Sequence, residues 1–244
     1  MPKPFLIIQL RPEDETADNE FAAIKTYGGL NDEETERLRV GKNGLPTLTL
    51  SDYAAIIVGG SPFDVSTPEQ EKSAIQLQIE AGFYRLFADI IEQDFPFLGC
   101  CSGNGLLGSY CGSSISRKYG EAVGGVDITL TEAGQQDRLL SGFPTTLRVL
   151  TGHKEACDSV PPGSVLLATN PACPVQMFRL KQNIYATQFH PEADAEGFTV
   201  RINIYKDFGY FPAESAARLI DAVKNETPVE AQLLLKRFVN AYRV

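Results

Sequence analysis

The chain has 244 residues, a formal net charge of -9, 43% hydrophobic and 22% charged residues. That length and apolar content suit one folded domain with a sizeable core rather than a disordered chain, and the acidic balance argues against nucleic acid or an anionic membrane surface as partner. The five cysteines are odd in number, two are adjacent and none has metal-ligand spacing, so neither a disulfide framework nor a metal site is expected, and reduced thiols fit a cytoplasmic protein.

In chain order, residues 5–10 form a short apolar run that reads as a buried strand. The run is too short for a signal peptide, and no later stretch approaches the length of a membrane span. The charged stretch 13–30 reads as helix or loop. Residues 47–50 and 54–58 read as strands, the second ending at Gly59-Gly60. From 68 to 92, Ile75, Ile79, Phe83, Leu86, Phe87 and Ile90 recur at helical spacing and predict a helix with one buried face. Residues 95–101 form a strand that runs into Ser102-Gly103-Asn104-Gly105 and an apolar helix start.

Short strands follow at 123–130, 146–150, 165–169, 175–180 and 183–188, the last two joined as a hairpin through Lys181-Gln182. After Arg201 come Ile204, Tyr205, Phe208, Tyr210 and Phe211, which read as core packing, with an oligomer contact as the alternative. The stretch 213–244 is helical by pattern. Strands alternating with helices predict an α/β domain with a mainly parallel sheet, whose catalytic groups sit at the carboxyl ends of the strands. We expect a single domain over 1–244, with a core of about 1–200 and a helical tail of about 201–244.

Three motifs bear on chemistry. In Gly99-Cys100-Cys101-Ser102-Gly103, glycines flank Cys101 at two residues on either side, as a tight strand-to-helix turn requires. The N-terminus of the following helix would favour the thiolate. Alone, the motif fits a nucleophile or a buried structural cysteine. Cys100 competes with Cys101, but strand alternation turns it toward the core. In Gln188-Phe189-His190-Pro191-Glu192, His190 follows a strand, and Glu192 can reach its ring if Pro191 keeps the chain extended. Gly59-Gly60-Ser61-Pro62 follows a strand and could turn backbone N–H groups toward an oxyanion, or form an ordinary turn. His153 reads as a loop histidine, and Asp64, Lys118 and Tyr119 as surface residues.

In content and order, these motifs resemble the class I glutamine amidotransferase family over roughly residues 45 to 200, most closely the free-standing members similar to the amidotransferase domain of GMP synthase. The segment Asn170-Pro171-Ala172-Cys173-Pro174-Val175-Gln176-Met177-Phe178-Arg179 is similar to that subgroup as well. The resemblance implies a flavodoxin-like three-layer sandwich with a C-terminal helical extension. It implies a Cys101–His190–Glu192 triad that releases ammonia from glutamine through a γ-glutamyl thioester, with no cofactor and no metal. It implies an oxyanion hole from the N–H groups of Gly60 and Ser102, and substrate contacts from Gly59, Ser61 and Asn104. In place of the family's usual Gly-His-Gln stands Gly103-Asn104-Gly105, which weakens the case for glutamine itself.

Three functions follow. One is a glutaminase that supplies ammonia to a synthetase partner chain. Another is a free-standing hydrolase or transferase of γ-glutamyl compounds, and the third a non-enzymatic regulator on the same fold.

Overall fold

The structure is a computed structural model that describes residues 2–207 and 211–243. Phe208 and Tyr210, named above as packing residues, lie outside the described residues.

The first half alternates strand and helix. It runs β1 (Phe5–Gln9), α1 (Asp14–Gly28), β2 (Thr35–Arg39), α2 (Val40–Asn43), β3 (Ala55–Val58), α3 (Ala74–Gln93), β4 (Phe97–Cys100) and α4 (Ser102–Tyr110). The second half is richer in strands: β5 (Ile115–Ser116), β6 (Glu121–Leu130), α5 (Glu132–Gln136), β7 (Thr146–His153), β8 (Ala156–Cys157), β9 (Ser164–Thr169), β10 (Met177–Leu180) and β11 (Ile184–Thr187). Helices α6 (Ala195–Tyr205), α7 (Ala216–Val223) and α8 (Val229–Tyr242) close the chain.

The main sheet has the order β2-β1-β3-β4-β11-β10-β9-β6-β7. Its β2-to-β11 half is parallel and the rest antiparallel, and β5 pairs with β8 in a small separate sheet. Strands β1, β3, β4 and β11 are buried at every position, as expected of parallel strands covered on both faces. Side-chain alternation divides them between two cores. Phe5, Ile7, Ile57, Leu98 and Cys100 face α8 residues Leu234, Leu235 and Phe238. Leu6, Ile8, Ile56, Val58 and Phe97 face α3 residues Ile79, Phe83, Phe87 and Ile90. The helical tail thus contributes to the main core, and a division near residue 200 falls inside α6.

Hairpin β10–β11 forms as expected, with Lys181 at φ 51 in its turn. No strand forms at 47–50; Leu50–Asp52 is a short 3-10 helix. Both edges of β3 are already paired, with β1 and with β4, so a strand entering beside it has no ladder to join. Strand β2 was not expected, because its sequence TERLR has no apolar run. Among the described residues, no helix is long and apolar enough to cross a membrane, and all five cysteines are free thiols.

Candidate active site

The carboxyl ends of β1, β3, β4 and β11 deliver Arg11, the Gly59-Gly60-Ser61 loop, Cys101 and His190 to one cleft. Cys101 sits at φ 52, ψ -97, a region that non-glycine residues rarely occupy and where strain marks function. Its N–H donates to the Thr187 carbonyl at 2.8 Å, fixing the turn to β11. A Cβ at Gly99 would stand 2.8 Å from the Gly103 backbone, so only glycine lets the strand pass so close to α4. Cys101 is half-buried, whereas Cys100 is 2% exposed and points into the core.

The helix end was expected to lower the Cys101 thiol pKa, and the balance of its surroundings runs the other way. Burial pushes the Cys101 thiol up to about 12, although Arg11 and Arg201 pull it down; Glu192 and Glu155 add to the rise. Desolvation of the sulfur is the largest of these effects and favours the neutral thiol.

The base for that thiol can be His190. The ring is buried, and its Nδ1 donates to Glu192 Oε1 at 2.9 Å. Arg201 Nη2 donates to the same oxygen at 2.9 Å. Pro191 does not keep the chain extended. The Ala193 N–H bonds the His190 carbonyl at 3.2 Å, and this turn folds Glu192 back onto the ring. Phe198 packs edge-on against the imidazole, with ring centroids 5.6 Å apart. With a carboxylate on Nδ1, Nε2 is the bare acceptor.

Burial lowers the His190 pKa below its ordinary value, and Glu192 offsets part of the fall. Burial alone would raise Glu192, but His190 and Arg201 overcome it and hold the carboxylate ionised. A base must be neutral to act, and a lowered pKa keeps it neutral to lower pH. The acid limb of kcat/KM should therefore lie below about 6.5, the ordinary histidine value. A pH–rate profile with its acid limb above that value would contradict this.

The glycine loop departs from expectation. The Gly60 N–H does not face the sulfur; it donates to Glu20 Oε2 at 3.2 Å. Glu20 is fully buried and also binds Arg11 Nε at 2.8 Å. The Ser61 N–H instead meets Ser102 Oγ at 2.8 Å. Gly59 does not line the cleft, and a Cβ there would stand 2.1 Å from Glu20 Oε1. Gly59→Ala should therefore displace a buried carboxylate from its guanidinium and destabilise the fold by about 3 kcal/mol or more, read as a lower urea midpoint.

The cleft has two lobes that share Ser61, Cys101 and Gly152. The polar lobe is lined by Ser102, Gly105, Lys154, Glu155 and Gln188. Glu155 accepts the N–H groups of Val65 (2.6 Å) and Ser66 (2.8 Å), which pins the glycine loop. The other lobe, on the His190 side, takes Arg11 and one face of α6. Arg11, Glu20, Glu155 and Arg201 were not singled out from sequence.

Asn104 lines neither lobe. It is fully buried on α4, where its Oδ1 accepts the Cys157 S–H at 3.4 Å. Asp64 is buried too, paired with Lys154 at 2.8 Å and Arg117 at 3.2 Å. His153 is no loop histidine: it ends β7, is 6% exposed, and holds Glu121 Oε2 at 2.9 Å. Glu121, His153 and Cys173 place ligand atoms within 4.8 Å of one another, a geometry that could admit a metal. Yet Glu121 already accepts from His153, Asn170 and Gln176, and His153 Nδ1 is engaged by the Glu155 carbonyl. A hydrogen-bond network accounts for the cluster.

The family described as glutamine amidotransferase class-I matches residues 34–202. A subunit of the glutamine-hydrolysing GMP synthase from Pyrococcus abyssi is 31% identical over 102 residues, 41% of this chain and 53% of that protein. The corresponding GMP synthase subunit from Methanobrevibacter smithii is 30% identical over 116 residues, 46% of this chain and 60% of that protein. The chain thus spans little more than half the length of these curated relatives. A glutamine amidotransferase structure from Thermotoga maritima superposes with a TM-score of 0.76 at 22% identity, covering 97% of this chain and 98% of the other; it shares the flavodoxin-like fold.

Proposed function

The chain belongs to the class I glutamine amidotransferase family, and from that premise we propose that it hydrolyses the side-chain amide of glutamine through a thioester on Cys101. The observation that carries this reading is a strained Cys101 sharing a cleft with His190, whose Nδ1 is tied to the Glu192–Arg201 pair.

His190 Nε2 takes the thiol proton as the sulfur adds to the amide carbon, and the imidazolium is stabilised by Glu192. The same proton passes to the departing ammonia. Water then enters, gives a proton to His190 and opens the thioester. The Ser102 N–H, at the start of α4, is one oxyanion donor. The Ser61 N–H is the candidate for the second role: it donates to the Ser102 hydroxyl, which lines the cleft and can turn away, whereas the Gly60 N–H is held by the buried Glu20 carboxylate. In the polar lobe, Lys154 and Glu155 offer both signs of charge to the amino-acid end of the substrate. The relatives are named as one subunit of a larger synthase, which supports a partner chain that accepts the ammonia.

The test is ammonia release from L-glutamine with hydroxylamine present. Interception of the thioester as γ-glutamyl hydroxamate is expected; ammonia without hydroxamate would remove the covalent step, and neither product would remove the activity.

A further inference from the structure

The lobe on the His190 side of Cys101 has no task if ammonia is the only leaving group, because ammonia is no larger than a water. Yet a face of α6 is turned onto it. Phe198, Arg201, Ile202 and Tyr205 line it at helical spacing, with Val123 from β6. Its cavity volume is about 40 Å³, against about 30 Å³ in the polar lobe.

Two guanidinium groups stand in these apolar walls. Arg201, 7% exposed, spends Nη2 on Glu192; its Nε and Nη1 have no hydrogen-bond partner among the described residues. Buried donors of that kind are costly unless a ligand completes them. Arg11 Nη2 lies 2.6 Å, and His190 Cε1 2.8 Å, from the point where a Cβ on Gly60 would stand. This edge of Arg11 therefore flanks the ring that must protonate the leaving nitrogen.

We propose, building on the thioester reading above, that the site takes γ-glutamyl dipeptides with an apolar second residue. The α-carboxylate of that residue is attached one carbon from the scissile nitrogen, which brings it to Arg11 and Arg201. The apolar side chain lies on Phe198, Ile202 and Val123. The Cys101 sulfur bonds the γ-carbonyl carbon as the amide C–N bond breaks, and His190 carries the thiol proton to the departing amine. The free amino acid leaves. Solvent water then gives one proton to His190 and adds to the thioester, releasing glutamate as the proton returns to sulfur.

The experiment compares kcat/KM for L-glutamine, γ-glutamyl-phenylalanine and γ-glutamyl-phenethylamine, which lacks the carboxylate, on the full chain and on Val123→Asp. The dipeptide should exceed both glutamine and the phenethylamine compound by about tenfold or more, since a site built around a polar group rejects the analogue lacking it. Val123→Asp should lower the dipeptide-to-glutamine ratio by about tenfold, by setting a charge in the apolar wall that takes the side chain. Glutamine preferred over both γ-glutamyl compounds would overturn the proposal and leave the glutaminase reading standing. Equal rates for the two larger substrates, or an unchanged ratio in the variant, would overturn the assignment of the lobe. No turnover of any of the three would remove the proposal together with the reading beneath it.

Discussion

Cys101→Ala should lose at least about 10⁴-fold in kcat for glutamine, while Cys100→Ala stays within about threefold of the parent. The difference follows from one residue of chain. Cys101 occupies the strained turn and lines the cleft; its sulfur is the atom that would bond to substrate. Alanine there leaves nothing to form the thioester, and the remaining hydrogen-bond donors can only polarise the amide. Cys100 belongs to the core with Phe5, Ile7 and Leu98, and burial pushes its thiol well above the ordinary value. Its replacement removes one sulfur from a packed interior, at a cost of about 1 kcal/mol of stability. Ammonia release and a urea midpoint for each variant separate the two effects. Loss of turnover in Cys100→Ala, at an unchanged midpoint, would move the nucleophile.

The parts of this fold that lie within one continuous stretch were legible in the sequence. Runs such as FLIIQ, AIIV and IYAT are apolar at nearly every position because both faces of a parallel strand are covered. Gly99 and Gly103 mark the turn because their backbones touch. What the sequence hid is what the topology assembles. Arg11 and Tyr205 are 194 positions apart and share a hydrogen bond; Glu20 reaches Gly60 from α1. Neither has a local pattern. The partners of Gly60 and Asn104 were hidden for one reason: a backbone N–H or an amide takes the nearest buried partner, here Glu20 and Cys157. His153 looked like a loop residue because its partner Glu121, and the Asn170 and Gln176 that hold Glu121, come from distant segments. The direction of the Cys101 pKa was not legible because the helix end is visible in the sequence and the desolvation of the sulfur is not.

Glu192→Gln should lower kcat by about 10³- to 10⁴-fold, and its pH profile should identify the cause. In the proposed mechanism the carboxylate holds His190 in the tautomer with Nδ1 protonated and stabilises the imidazolium formed when the thiol proton is taken. An amide keeps the shape and loses the charge. The variant should also cost about 3 kcal/mol of stability, because Arg201 then sits buried without its counter-charge. A merely structural defect would lower the rate at every pH alike. Glu192, however, raises the pKa of His190, while Arg201 and Arg11 lower it. With Glu192 neutral, the two guanidinium groups are less opposed, and the acid limb of kcat/KM moves to lower pH. Arg201→Met takes away one of those positive charges and keeps the carboxylate, so its acid limb moves to higher pH. Opposite displacements in the two variants are the signature of a charge pair acting through the imidazole. Limbs that stay at the parental pH in both would show that Glu192 and Arg201 hold the fold and do not tune the base.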